Sequence, residues 1–182
     1  MANALSVDAQ MHIFKNLNPA EILFNHIKNG VKFCNDALIK ILELPEAEAL
    51  MIAYTKTEHP IGIMVQLKIF EYPFAENIIS AMINNGYFLY TEPEVKMLHL
   101  PNAEKLLAKY LELYSLEEDA QLELFKLPNS KNLVSLFIKK RDLCENAEIE
   151  LCMVDWPEKN ELIDEHIALH GKNFSRELLR FR

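Results

Sequence analysis

A seven-residue pattern of apolar, polar, apolar, apolar, polar, apolar and proline positions recurs along this chain. Its clearest copies span residues 67–73, 95–101 and 122–128, and weaker copies span 39–45 and 151–157. The residues at the proline position follow one another at intervals of 28, 28, 28, 27 and 29, namely Leu17, Pro45, Pro73, Pro101, Pro128 and Pro157. This regular spacing predicts a repeat protein.

Each repeat opens with an amphipathic helix. After Asn102, a good N-cap residue, apolar side chains recur at intervals of three and four, at Ala103, Leu106, Leu107, Tyr110 and Leu111. In the first repeat, Asn18 is the predicted cap and Pro19 takes the favoured first helical position. Gly30, Gly86 and Gly171 stand where these helices are expected to stop, in left-handed C-terminal caps. The predicted first helices are about 12 residues long.

A second helix follows in each repeat and ends at the proline. In the clearest example, 117–127, Ala120, Leu124 and Leu127 lie on one side of the helix and Leu122 and Phe125 nearly opposite. A helix that is apolar on two faces must be packed between neighbours, as in stacked helical hairpins. Because such hairpins do not bury both faces alone, stacking is expected to stabilise the array.

The predicted fold is therefore all-α, a right-handed α-solenoid of stacked antiparallel helical hairpins with about 28 residues per repeat. We predict one domain over 1–182, with an N-terminal capping helix at 4–16, repeats at 17–44, 45–72, 73–100, 101–127 and 128–156, and a last, incomplete repeat at 157–182. Phe174, Leu178, Leu179 and Phe181 indicate a final helix. It either caps the array or continues into a longer one.

The apolar positions that recur in each repeat resemble those of the α-solenoid class in general, such as tetratricopeptide and HEAT-like arrays. The period is shorter than in either of those repeats, and the Trp, Gly and Tyr residues of the tetratricopeptide unit are missing. The resemblance implies a protein-binding scaffold and transfers no functional residues.

Charge and composition narrow the possible partners. The chain has 182 residues, 50% of them hydrophobic, and a net charge of −8. The charge comes from 142–165, where nine acids accompany only Lys159. This balance argues against nucleic acid as a ligand. No apolar run is long enough to span a bilayer and no leader is apparent, so we expect a cytoplasmic protein without a membrane partner.

Candidate catalytic residues are few. His166 and His170 have the i, i+4 spacing of metal ligands, but His166 shares its column with His26 and with aromatic or apolar residues in the other repeats, so packing is the favoured interpretation. Cys34 and Cys144 are expected to be small packing residues in equivalent turns. Without a catalytic or phosphate-binding motif, we predict no enzyme activity, metal or cofactor. A metal-assisted or cysteine-dependent enzyme using His166, His170 or Cys144 stays as the alternative.

One polar stripe remains on the second helices, five and two positions before each anchor. It predicts a row of partner-binding side chains, namely Lys40, Glu43, Lys68, Glu71, Lys96, His99, Glu123, Lys126 and Asp155, with Cys152 as the apolar exception. Ordinary surface pairs explain the same pattern. The predicted function is a non-catalytic scaffold that binds another protein or peptide, with a structural or self-associating segment of a longer array as a further alternative.

Overall fold

The computed structural model describes residues 5–171. Within that range the chain is all-helical, with twelve α-helices. It forms two compact units, Met1–Tyr90 and Thr91–Arg182. The all-α prediction is confirmed. The prediction of one repeat domain over 1–182 stays a prediction, and so do the solenoid arrangement, its handedness and the repeat length.

The first unit contains six α-helices in its described part, which alternate between two rows. One row holds α1, α3 and α5, and the other holds α2, α4 and α6. Neighbours within each row pack on one another, and α1 and α3 also contact α2 and α4. The helices span Val7–Ile13, Pro19–Lys28, Asn35–Leu42, Ala47–Tyr54, Ile63–Ile69 and Ala75–Asn84. A short 3₁₀ helix, Thr55–Thr57, extends α4.

The second unit has the same alternation in its described part. Helices α7, α9 and α11 pack in one row and α8, α10 and α12 in the other. Each member of the first row also contacts the helix that follows it in the chain. The six helices span Thr91–Leu98, Ala103–Leu113, Glu118–Leu124, Ser130–Ile138, Glu145–Met153 and Lys159–His170.

The predicted apolar columns form the core of both units. In α8 all five column residues are buried, and the equivalent residues of α6 are buried too. Asn18 accepts a hydrogen bond from the backbone N–H of Glu21, as the cap prediction requires. Gly30, Gly86 and Gly171 have φ values of 69°, 76° and 65°, so a side chain at these positions would be strained. The predicted helix stops are confirmed.

The second helices end earlier than predicted. Helix α9 stops at Leu124, three residues before the predicted end at Leu127. Phe125 N–H and Lys126 N–H then donate to carbonyl oxygens three residues back, at 3.3 and 3.0 Å. Because Pro128 disfavours the helical conformation at the residue before it, the last turn tightens to 3₁₀ geometry.

The two apolar faces of α9 are buried to different degrees. Ala120 and Leu124 are fully buried, whereas Leu122 and Phe125 are half-buried. The Phe125 ring stacks on Trp156, with 6.0 Å between the ring centroids and 12° between the planes. The face of α9 that carries Leu122 and Phe125 is therefore covered in part by the side chain of Trp156, which lies between α11 and α12.

The predicted capping segment forms α1. The Ser6 side chain accepts a hydrogen bond of 3.2 Å from the backbone N–H of Ala9, which begins the helix at Val7. The predicted final helix with Phe174, Leu178, Leu179 and Phe181 lies outside the described residues.

Candidate functional site

The predicted polar stripe continues from one helix to the next in the second unit. His99 Nε2, just after α7, lies 2.9 Å from Glu123 Oε1 on α9. Lys126 Nζ donates to the other oxygen of the same carboxylate at 3.0 Å. The hydrogen bond from Lys126, together with the one from His99, lowers the pKa of Glu123. Three of the nine predicted residues thus form one hydrogen-bonded group.

In the first unit the stripe also pairs internally. Lys68 and Glu71 form an ion pair of 2.5 Å at i, i+3 spacing. The hydrogen bond to Glu71 raises the pKa of Lys68, and the charge of Glu43 on the neighbouring segment acts in the same direction. Glu43 therefore lies near enough to Lys68 for their charges to interact. Lys40, on α3, is half-buried.

The remaining stripe residues differ in how exposed they are. Lys96 on α7 and Asp155 just after α11 are exposed. Cys152 is buried, so it does not belong to the exposed stripe, and burial raises the pKa of its thiol. Apart from Cys152, the stripe presents polar side chains that are exposed or half-buried.

A second set of polar side chains, absent from the residues predicted above, is buried inside the helix rows. Gln66 in α5 donates its amide to Ile61 O and Phe88 O at 3.1 and 3.2 Å and accepts from Tyr90 N–H at 3.2 Å. Gln10 and Gln121 make the same kind of contact, with the segment before their own helix and with the turn before the next helix of the same row. We call these residues, with Glu94 and Glu148, the buried polar column.

Glutamate replaces glutamine at two positions of the buried polar column. Glu94 is 1% exposed and accepts hydrogen bonds from Tyr110 Oη and from Glu117 N–H, both at 2.8 Å. Burial raises the pKa of this carboxyl from 4.5 to about 7. The carboxyl links α7 to the following helix and to the turn after that helix. Its arrangement is that of a structural brace.

Glu148 belongs to a cluster with a different composition. Its Oε1 lies 3.3 Å from His166 Nε2, which lies 3.4 Å from Asp142 Oδ1. Among residues 5–171 this is the one group of three ligating side chains whose donor atoms lie within 4.8 Å of one another. His170, the other member of the predicted pair, donates its Nε2–H to Ile138 O at 2.7 Å.

The buried polar column has a sequence signal that was missed. A Gln or Glu stands seven positions before Pro73, Pro101 and Pro128. Because Gln and Glu are mostly exposed in proteins, this recurrence does not by itself indicate buried side chains. The structure shows that these side chains hydrogen-bond to backbone groups of the turns packed against the helix, which would otherwise be buried without partners.

The two candidate nucleophiles of the turns have the same position. Cys34 and Cys144 are half-buried N-cap residues of α3 and α11. Their backbone N–H groups donate to Gln10 and Gln121, both at 2.8 Å. The packing role expected of these two cysteines stays a prediction.

Aromatic side chains line a cleft at the turns of the first unit. The rings of Phe88 and Tyr90, both exposed, lie 4.8 Å apart between centroids. They border a cleft of about 370 Å³ that Glu58, Pro60 and Tyr87 also line. Exposed aromatic residues are enriched at protein-binding surfaces.

Comparison with protein-family models, with curated proteins and with solved structures found no match to this chain. None of the helices between residues 5 and 171 has both the length and the apolar character needed to cross a lipid bilayer.

Proposed function

We propose that this protein is a non-catalytic scaffold that binds another protein or an extended peptide in the cytoplasm. The hydrogen-bonded group of His99, Glu123 and Lys126 carries the proposal, because it extends the polar stripe from one helix to its neighbour. Helical repeats commonly bind along such extended surfaces, on which each repeat adds a few contacts.

The proposed architecture is a right-handed α-solenoid with a repeat of about 28 residues. The alternation of helices between two rows within each unit supports it. The prolines and Leu17 at the repeat boundaries support the repeat length, since all of them are exposed at equivalent turns.

The chemistry of the stripe indicates the kind of partner. Its acids and bases pair with one another, as in the 2.5 Å contact between Lys68 and Glu71. Exposed pairs of this kind contribute little to stability. Their polar atoms are accessible to a partner that carries both charge signs. A peptide with alternating charges fits this surface.

Site-specific photo-crosslinking tests the proposal. A photoreactive residue placed at Lys126 should capture a defined polypeptide from cell extract, and Glu123→Lys should reduce that capture. The matched control places the same group at Lys105, which is exposed on α8 in the other row. Equal capture at the two positions, or capture that Glu123→Lys leaves unchanged, would contradict binding at the stripe.

A further inference from the structure

We propose that Asp142, Glu148 and His166 form a binding site for a divalent transition-metal ion, with Zn²⁺ as the favoured cation. An imidazole with two carboxylates is a donor set that suits first-row metals better than Mg²⁺ or Ca²⁺, which take oxygen ligands almost entirely. The site lies in the second unit. It is independent of peptide binding at the polar stripe.

The two distances from His166 Nε2 have the values expected for ligands that share one metal ion. His166 Nε2 lies 3.3 Å from Glu148 Oε1 and 3.4 Å from Asp142 Oδ1. Charge-assisted hydrogen bonds between nitrogen and carboxylate oxygen are shorter, about 2.7–2.9 Å. Ligands bound tetrahedrally to Zn²⁺ at ordinary bond lengths are about 3.3–3.5 Å apart. The single Nε2–H of His166 can point at only one of the two carboxylate oxygens, whereas a metal ion can bind both oxygens and the nitrogen at the same time.

Three separate elements hold the ligands. Asp142 lies in the turn after α10, Glu148 in the first turn of α11 and His166 in the second half of α12. The positions of the two helical ligands are fixed by packing, because the side chain of His166 is 0% exposed and that of Glu148 is 9% exposed. Sites supported by rigid elements keep their geometry.

The site also has an entry route. The Asp142 side chain is 40% exposed although its Oδ1 is buried, so the remainder of this side chain lies toward solvent. Water or a side chain of a partner can complete the coordination on this side, as in metal sites with three protein ligands. A divalent cation would balance the two carboxylate charges, which otherwise lie beside a buried ring at a desolvation cost.

The repeats themselves supply a contrast. The column that holds His166 contains Tyr54, Met82, Tyr110 and Phe137 in four other repeats and His26 in the first. Glu94 has Tyr110 as its partner, and a neutral phenol is a poor metal ligand. Of the two histidines in this column, His166 is the one that lies in a group of three possible ligands among the described residues, because carboxylates stand at 142 and 148.

Titration of the purified, chelator-treated full chain with Zn²⁺, followed by calorimetry, tests the site. We expect one equivalent to bind and the midpoint of thermal unfolding to rise. Asp142→Asn should weaken the affinity at least about 10-fold, because even partners that only orient a ligand have effects of 10–100-fold. Since Asp142 is partly exposed, this variant should fold, and circular dichroism checks it. His166→Gln and Glu148→Gln should act in the same direction.

Three matched variants serve as controls. His170→Ala removes the neighbouring histidine, Glu94→Gln changes the equivalent carboxyl of another repeat, and Cys144→Ser removes the nearest thiol in the sequence. All three should bind Zn²⁺ as the parent chain does. The absence of saturable binding, an unchanged affinity in Asp142→Asn, or a loss of binding in Cys144→Ser or His170→Ala would overturn the proposal.

Discussion

Glu94 and Glu148 are each the fourth residue of their helices, α7 and α11, yet their surroundings differ. Glu94 accepts two hydrogen bonds of 2.8 Å from a phenol and a backbone amide. Glu148 faces a buried imidazole that a second carboxylate also approaches. The same helix position therefore serves as a brace in α7 and supplies one ligand of the proposed metal site in α11. The residue on the following helix makes this difference.

The largest expected loss of stability comes from replacing Glu94. Glu94→Ala leaves two donors, Tyr110 Oη and Glu117 N–H, without their acceptor in a buried or partly buried place. We expect the free energy of unfolding to fall by about 2–4 kcal/mol, since each unsatisfied buried group costs about 1–3 kcal/mol. Urea denaturation of the full chain measures this change. A loss below that of an exposed control, Glu112→Ala, would show that the brace does not stabilise the fold.

The pH dependence of stability sharpens the comparison. The folded state holds the Glu94 proton to a pH of about 7, whereas the ordinary carboxyl pKa is 4.5. Between these values the folded state binds more protons than the unfolded chain. Stability therefore falls as the pH rises through this window, by about 1.4 kcal/mol for each unit of pKa difference. Denaturation from pH 4.5 to 8 should show this loss in the parent chain but not in Glu94→Gln, and identical profiles would contradict it.

A smaller loss of stability is expected when Tyr110, which donates a hydrogen bond to Glu94, is replaced. Tyr110→Phe keeps the ring in the core and removes only the hydroxyl that donates to Glu94. Stability should decrease by about 1–2 kcal/mol, the net value of a hydrogen bond to a carboxyl group. The corresponding change Tyr114→Phe, on a half-buried ring of the same segment, is the control for loss of a hydroxyl. Thermal unfolding of both variants decides whether the bond to Glu94 matters.

The polar stripe should contribute least to stability. Glu123→Gln weakens the contacts with Lys126 and His99, which lie near the surface. We expect a loss below about 1 kcal/mol that shrinks further in high salt. A loss as large as that of Glu94→Ala would mean that the stripe is a structural element and would weaken its assignment to partner binding.

The elements of the fold were largely predictable. Periodic apolar residues identified the first helices, and Gly30, Gly86 and Gly171 marked where α2, α6 and α12 stop. These signals are local, since a helix face and a left-handed cap each depend on residues a few positions apart. The ends of the second helices were less predictable, because the 3₁₀ turn before Pro128 depends on how the chain enters the next helix.

The candidate sites were only partly predictable. The polar stripe was visible as a pattern, and the structure adds the contact between His99 and Glu123 across two helices. The spacing of His166 and His170 suggested that the two histidines could bind one metal ion together. In the structure, His170 donates to a backbone carbonyl, whereas His166 lies beside Asp142 and Glu148. Ligands that come from three elements have no fixed spacing in the sequence.

The sequence by itself determined the helices, their apolar faces and the recurrence of these features about every 28 residues. These properties follow from local geometry and from the burial of periodic apolar side chains. The tertiary structure alone decided which polar residues are buried and what they contact. Burial of Gln66 or Glu94 is favourable only where the next turn places backbone donors or acceptors within reach, and that depends on packing between helices.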